Sequence, residues 1–139
     1  MDNNPPSGNL GKKIPKPNNI IQVPAGIDTG LFRWWLIFLR PIIKLTDREI
    51  DVVSSFLHQR YLLSKNIQDP ILLDKVLMSD DIKKTVMEEC KITLKHFYVI
   101  MSELRKHGVI KDSILNPRLI PNIRQDDNGV FQLLILFKA

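Results

Sequence analysis

KITLKHFYVIMSELRKHG, residues 91–108, decides how the rest of this chain is read. Thr93 suits an N-cap, because its hydroxyl can accept a backbone N–H from the first helical turn. Leu94, Phe97, Met101 and Leu104 then recur at i, i+3, i+7 and i+10, a stripe expected to be buried on one face of a helix. Gly108 is a natural stop, since it enters the left-handed region without a steric cost. Arg105, Lys106 and His107 complement the negative end of the helix dipole. Tyr98 and Ile100 flank the stripe and are expected to be half-buried.

Upstream, only a short break around Lys91–Ile92 separates this helix from another. Ser79 caps that earlier helix, and Asp80 and Asp81 sit at its positive end. Asp69–Pro70 is an N-cap followed by a proline at the first helical position, where the missing N–H costs nothing, and it opens a short helix to about Met78. Thr46 to Glu49 has the capping-box form. Ile50, Val53, Leu57 and Tyr61 share one face after it, predicting a helix over about 47–64.

Downstream, VIKD (109–112) precedes a long loop from Asp112 to Gly129, and LNPRLIPN (115–122) within it argues against a regular strand. The run 130–137 reads as a nearly wholly apolar strand, which needs cover on both faces from the core, the loop or another subunit. Two tightly joined helices followed by a hairpin between VIKD and this last strand outline a winged helix. The expected fold class is mostly α with a small β-hairpin. A winged-helix-like domain over 46–139 is preceded by an apolar aromatic segment, 31–45, and an extended N-terminal arm, 1–30.

The arm is rich in Pro, Asn and Gly and poor in large apolar residues, a composition that does not fold alone. Over all 139 residues, 44% hydrophobic and 25% charged is ordinary for a soluble chain. Cys90 is the single cysteine, so no internal disulfide forms and a reducing compartment fits. No signal peptide is visible. The apolar run Leu31–Leu45 is interrupted by Arg33, Arg40 and Lys44 and falls short of the roughly 20 residues that span a bilayer. A soluble chain, intracellular at synthesis and without a membrane partner, is expected.

The net charge of +5 is unevenly placed. Residues 1–45 carry +4, from Lys12, Lys13, Lys16, Arg33, Arg40 and Lys44 against Asp2 and Asp28, and the remainder carries +1. Catalytic machinery is not expected. There is no phosphate-cradling glycine loop, no cysteine pair and no His-Glu-x-x-His. His58, His96 and His107 fall on helix surfaces without carboxylates at ligand spacing, so neither a metal nor a cofactor is expected. Cys90 beside Glu88 and Glu89 suits a small buried hydrophobe better than a thiolate.

Against nucleic acid, the outward positions after Thr93 are Lys95, His96, Val99, Ser102, Glu103 and Lys106. Lys95, His96 and Ser102 would suit base or phosphate contacts, whereas Glu103 and the lack of an early arginine count against them. The segment LFRWWLIFLR (31–40) fits neither a helical nor a strand period, because almost every residue is large and apolar. Aromatics with interspersed arginines are usual interface content, which marks Phe32, Arg33, Trp34, Trp35, Phe38 and Arg40 as subunit-interface candidates. An extra N-terminal helix covering the domain core explains the same residues, and the two roles are compatible, one face each.

Two stretches, WWLIFLRPIIKLTDREIDVV (34–53) and ITLKHFYVIMSELRKHGVIKDSILNPRLIP (92–121), resemble small winged-helix-like proteins encoded by crAss-like tailed phages of gut Bacteroidales. The similarity covers Leu31 to Pro121, and transcription regulators share LRKHGVI (104–110). The resemblance implies a phage context, in which proteins of this size often form neck, ring or head–tail connector components. One expectation is therefore a structural homo-oligomer of the virion, made in the host cytoplasm, with its arm on copies of itself and other virion proteins. The alternative is a winged-helix DNA-binding regulator with Lys95, His96 and Ser102 toward the major groove and Lys12, Lys13 and Lys16 on phosphates.

Overall fold

Asp28, in extended conformation, turns its carboxylate onto the Leu31 N–H and starts the first helix, α1 (Thr29–Leu39). The computed structural model describes residues 23–133 and 138–139. α1 is followed by α2 (Asp47–Ser64), α3 (Pro70–Leu77), α4 (Asp80–Cys90) and α5 (Leu94–Lys106). Two small antiparallel hairpins complete the described chain, β1 (Ile110–Lys111) with β2 (Ile114–Leu115) and β3 (Ile123–Gln125) with β4 (Phe131–Leu133). The fold is mostly helical with a minor β component.

Each helix start is set by local chemistry. Thr46 forms the full capping box with Glu49, Asp69 caps α3 ahead of Pro70, Ser79 caps α4 and Thr93 caps α5. α4 ends on Lys91 in the left-handed conformation (φ 53°, ψ 48°), and only Lys91, Ile92 and Thr93 separate it from α5. A lysine is strained there where glycine is not. Lys91→Gly is therefore expected to raise the unfolding free energy by about 0.5–1 kcal/mol, read by urea denaturation.

α2 is the axis of the core. Ile50, Val52, Val53, Phe56 and Leu57 are buried on nearly all sides of its first three turns. α1 packs along one side of it, and α3, α4 and α5 enclose the others. Val86 of α4, Leu77 of α3, and Phe97, Ile100, Met101 and Leu104 of α5 close the interior, with Val109, Leu115 and Leu119 beneath. The buried stripe of α5 thus differs from its sequence reading. Leu94, at the helix's first position, projects past the core and is 53% exposed, and Ile100 takes the inward arc with Phe97 and Met101. Tyr98, expected half-buried, lies on the exposed side.

The hairpin pairing is also corrected. Among the described residues VIKD does not pair with the last strand. It folds back at once, Ile110 opposite Leu115 and Lys111 opposite Ile114, through Asp112 and Ser113, both at positive φ (54° and 64°). Two left-handed central residues give the turn twist that short hairpins prefer. β4 instead pairs with β3, across a turn in which the Asp126 carboxylate accepts the Asn128 and Val130 N–H groups at 2.9 Å each and Gly129 stands at φ 81°. Of the expected strand 130–137, Phe131–Leu133 are strand, and residues 134–137 lie outside the described residues. So does most of the expected arm. Residues 1–22 are not described, 23–28 lead into α1, and Thr29 and Gly30 form its first turn.

Candidate functional site

Helix α1 has two apolar faces, and α2 covers one of them. Leu31, Phe32 and Leu36 are buried on the inner face, flanked by half-buried Trp35 and Leu39. The indole N–H of Trp35 donates to the Leu119 carbonyl at 2.7 Å, tying α1 to the turn after β2. On the outer face and just beyond it, Trp34, Ile37, Phe38 and Ile42 are 58%, 44%, 46% and 78% exposed. With about 200 Å² for each large side chain, these exposures amount to roughly 450 Å² of apolar surface. That lies within the roughly 300–600 Å² of the largest apolar patch on a typical monomer, a patch that is often functional.

Charged groups edge this face. Arg33 is ion-paired with Asp51 of α2, and Arg40 with Asp47 at 2.6 Å while its Nε donates to the Leu45 carbonyl. The hydrogen bond from Arg40, then its charge, holds the Asp47 carboxyl below its ordinary value. A depressed carboxyl stabilises the fold above the unfolded-state pKa and loses that contribution as pH falls through the folded-state value. In Arg40→Ala, the Asp47 titration followed by NMR is expected to move up toward 3.8. Lys44, past the end of α1, is exposed and has no ion-pair partner among the described residues.

The six interface candidates thus separate. Trp34 and Phe38 stand on the outer face. Phe32 is 2% exposed inside the chain's own core and offers nothing to a neighbour. Trp35 is committed to Leu119, and Arg33 and Arg40 to aspartates of the same chain. Ile37 and Ile42, which join the exposed face, were missed. The i, i+3, i+4 spacing of Trp34, Ile37 and Phe38 carries that signal once the segment is known to be helical.

On α5, Lys95, His96 and Ser102 are all exposed, as the nucleic-acid alternative requires. They share the surface with Leu94, Tyr98 and Val99, each more than half exposed, and Lys106 is drawn to Glu103 at 3.1 Å. Lys12, Lys13 and Lys16 lie outside the described residues.

A polar cleft of about 480 Å³ opens between α1, α2 and α4, lined by Thr29, Arg48, Asp51, Ser55, Glu89 and Cys90. Its groups satisfy one another. Arg48 donates to Asp51 and to the Cys90 carbonyl, and Ser55 and Gln59 both donate to Glu89. Burial, more than any neighbouring charge, pushes the Cys90 thiol up, away from the thiolate that nucleophilic chemistry needs. Its Sγ lies 3.5 Å from the Asp51 carbonyl. This network staples three helices.

Among the described residues no helix is long and apolar enough to cross a membrane, and no group of three or more His, Cys, Asp or Glu could hold a metal ion. No family model, no curated protein and no solved structure matches this chain.

Proposed function

We propose that this chain is a non-enzymatic structural subunit of a phage particle, a neck, ring or head–tail connector component that assembles with copies of itself and with other virion proteins. The observation that carries the reading is the outer face of α1, where Trp34 and Ile37 stand exposed on a helix whose other side is already packed. Such a surface is costly to leave in water and is ordinary content for a subunit contact. The resemblance of residues 31–121 to proteins of crAss-like tailed phages supports a particle as the assembly. An N-terminal arm carrying Lys12, Lys13 and Lys16 would lie on neighbouring subunits and gain affinity through its effective concentration. Mass spectrometry of purified particles is the test. The chain is expected at a stoichiometry comparable to other connector proteins, and its absence from particles overturns the reading. A deletion of residues 1–22 is expected to stay folded by circular dichroism and to be lost from particles.

A second reading is a winged-helix DNA-binding regulator. The specific observation in its favour is the three-residue link between α4 and α5 with Lys91 left-handed, a short hairpin directly after α5, and Lys95, His96 and Ser102 exposed on α5. That is the outline of a helix-turn-helix followed by a wing. It requires binding to duplex DNA that weakens steeply with salt, with loss of affinity in a Lys95→Ala, His96→Ala double variant. Affinity unchanged in that variant removes it.

A further inference from the structure

A cavity of about 210 Å³ lies between α1, α2 and the chain that leads from the 3₁₀ turn Pro117–Leu119 into β3. We infer that it binds a small monocarboxylate with an apolar tail of about five or six carbons. The tail lies against Phe32, Leu57, Ile120 and Ile123, and the carboxylate is held by Arg60 and Tyr61. The inference goes beyond the particle role and does not depend on it.

Arg60 carries the argument. Its side chain is 21% exposed, and among the described residues it has a single partner, Asp74 of α3, reached from Nε at a long 3.5 Å. Arg40 and Arg48, 41% and 45% exposed, make two hydrogen bonds each. The less hydrated guanidinium thus has fewer acceptors, the reverse of what a buried charge needs. Its two terminal amino groups, unbonded among the described residues, supply the planar pair of donors that a carboxylate accepts with both oxygens. The Tyr61 hydroxyl, also without a hydrogen bond among the described residues, is a further donor in the lining. The Ser64 hydroxyl is not, because it donates to the Tyr61 carbonyl at 2.6 Å. Lys65 Nζ stands 5.0 Å from the centre of the Tyr61 ring and adds positive potential nearby.

Size and lining set the rest of the ligand. Interior cavities of about 150 Å³ hold benzene, so this one takes a body of that size with room for the carboxylate. Phe32, Leu57, Ile120 and Ile123 offer the tail no hydrogen-bonding side chain. One guanidinium offsets one negative charge, and a dianion such as a phosphate monoester would set its second charge against Asp74.

Isothermal titration calorimetry of the full chain with hexanoate at neutral pH tests this, beside hexan-1-ol, which keeps the tail, and acetate, which keeps the head. Hexanoate is expected to bind one-to-one with a Kd below about 1 mM, and the other two at least about tenfold more weakly. N-acetyl-leucine, which copies an apolar chain end, should also bind more weakly than hexanoate, because its amide loses water against walls that offer no partner. Arg60→Lys keeps a charge beside Asp74 but removes the fork, and should weaken hexanoate about tenfold with the circular dichroism melt unchanged. Arg60→Gln combined with Asp74→Asn strands no charge and should abolish the preference for hexanoate over hexan-1-ol. In NMR spectra hexanoate should shift the Ile120 and Ile123 methyl resonances.

No saturable hexanoate binding up to about 10 mM overturns the inference. So does equal affinity for hexan-1-ol or acetate, tighter binding of N-acetyl-leucine, affinity unchanged in the Arg60 variants, or methyl shifts confined to other residues. The comparison among the four ligands uses the unaltered chain and decides the matter even where a variant melts early. Failure here is distinct from failure of the proposed function. A chain found in purified particles that binds no hexanoate removes the cavity's ligand alone, and a hexanoate-binding chain absent from particles removes the particle role alone.

Discussion

Phe32→Ala is expected to lower the unfolding free energy by about 3–5 kcal/mol, the range for emptying a buried phenylalanine site. The ring is 2% exposed, lies 6.4 Å from that of His58 between centroids, and lines a small gap with Leu57, Arg60, Tyr61 and Ile120. Of the side chains that α1 buries, Leu31, Phe32 and Leu36, this one is the largest, so it contributes much of the attachment of the helix to α2. Urea denaturation should show a lower midpoint with an unchanged slope. Trp34→Ala, two positions along the same helix, should stay within about 0.5 kcal/mol in dilute solution, because its side chain is mostly in water. The contrast between these two aromatics separates the inner face from the outer one. Equal and small effects at both positions would mean that α1 is not part of the folded core.

Asn116→Ala should cost about 2 kcal/mol, as loss of two side-chain hydrogen bonds at a half-buried site implies. The amide donates from Nδ2 to the Gly108 carbonyl at 3.0 Å and accepts the Arg118 N–H at 3.1 Å through Oδ1, while the backbone N–H of Asn116 donates to Val109. One side chain thus locks the end of α5, where Gly108 sits at φ 75°, to the short 3₁₀ turn Pro117–Leu119. Leu119 in that turn accepts the Trp35 indole N–H, so the lock extends to α1. Thermal melts should shift down by roughly 6–10 °C. Asn116→Asp keeps the acceptor but aims a carboxylate at a carbonyl, and it should be no better tolerated than alanine. A neutral effect of both changes would show that the backbone bonds hold this junction without the side chain.

These two sites illustrate how unevenly the structure can be read from residues alone. Thr46 with Glu49, Asp69 with Pro70, Ser79 and Thr93 signal helix starts because each capping bond closes within three residues. The end of α5 at Gly108 is legible for the same reason. In LNPRLIPN the Asn and Pro residues mark irregular backbone, yet nothing local says that Asn116 reaches back to Gly108. Asp112–Ser113 hides a tight hairpin because neither residue is the glycine that usually announces left-handed backbone. Leu94 and Ile100 exchange roles because helix spacing defines an arc, and only the neighbouring helices define where that arc ends.

The candidate site shows the same division. Residues 31–40 announce burial and contact through composition, with six positions marked for an interface. Periodicity is silent because apolar residues fill nearly every position, so inward Phe32 and outward Trp34 look alike.

The residues by themselves determined where α2, α3, α4 and α5 begin and that the chain is mostly helical, because capping and turn chemistry act within a few bonds. Tertiary structure alone decided which face of α1 meets α2, which strands pair, and that Trp34, Ile37, Phe38 and Ile42 meet water together. Those outcomes depend on contacts between residues distant in the chain, where shape and area choose among alternatives that local energetics leave nearly equal.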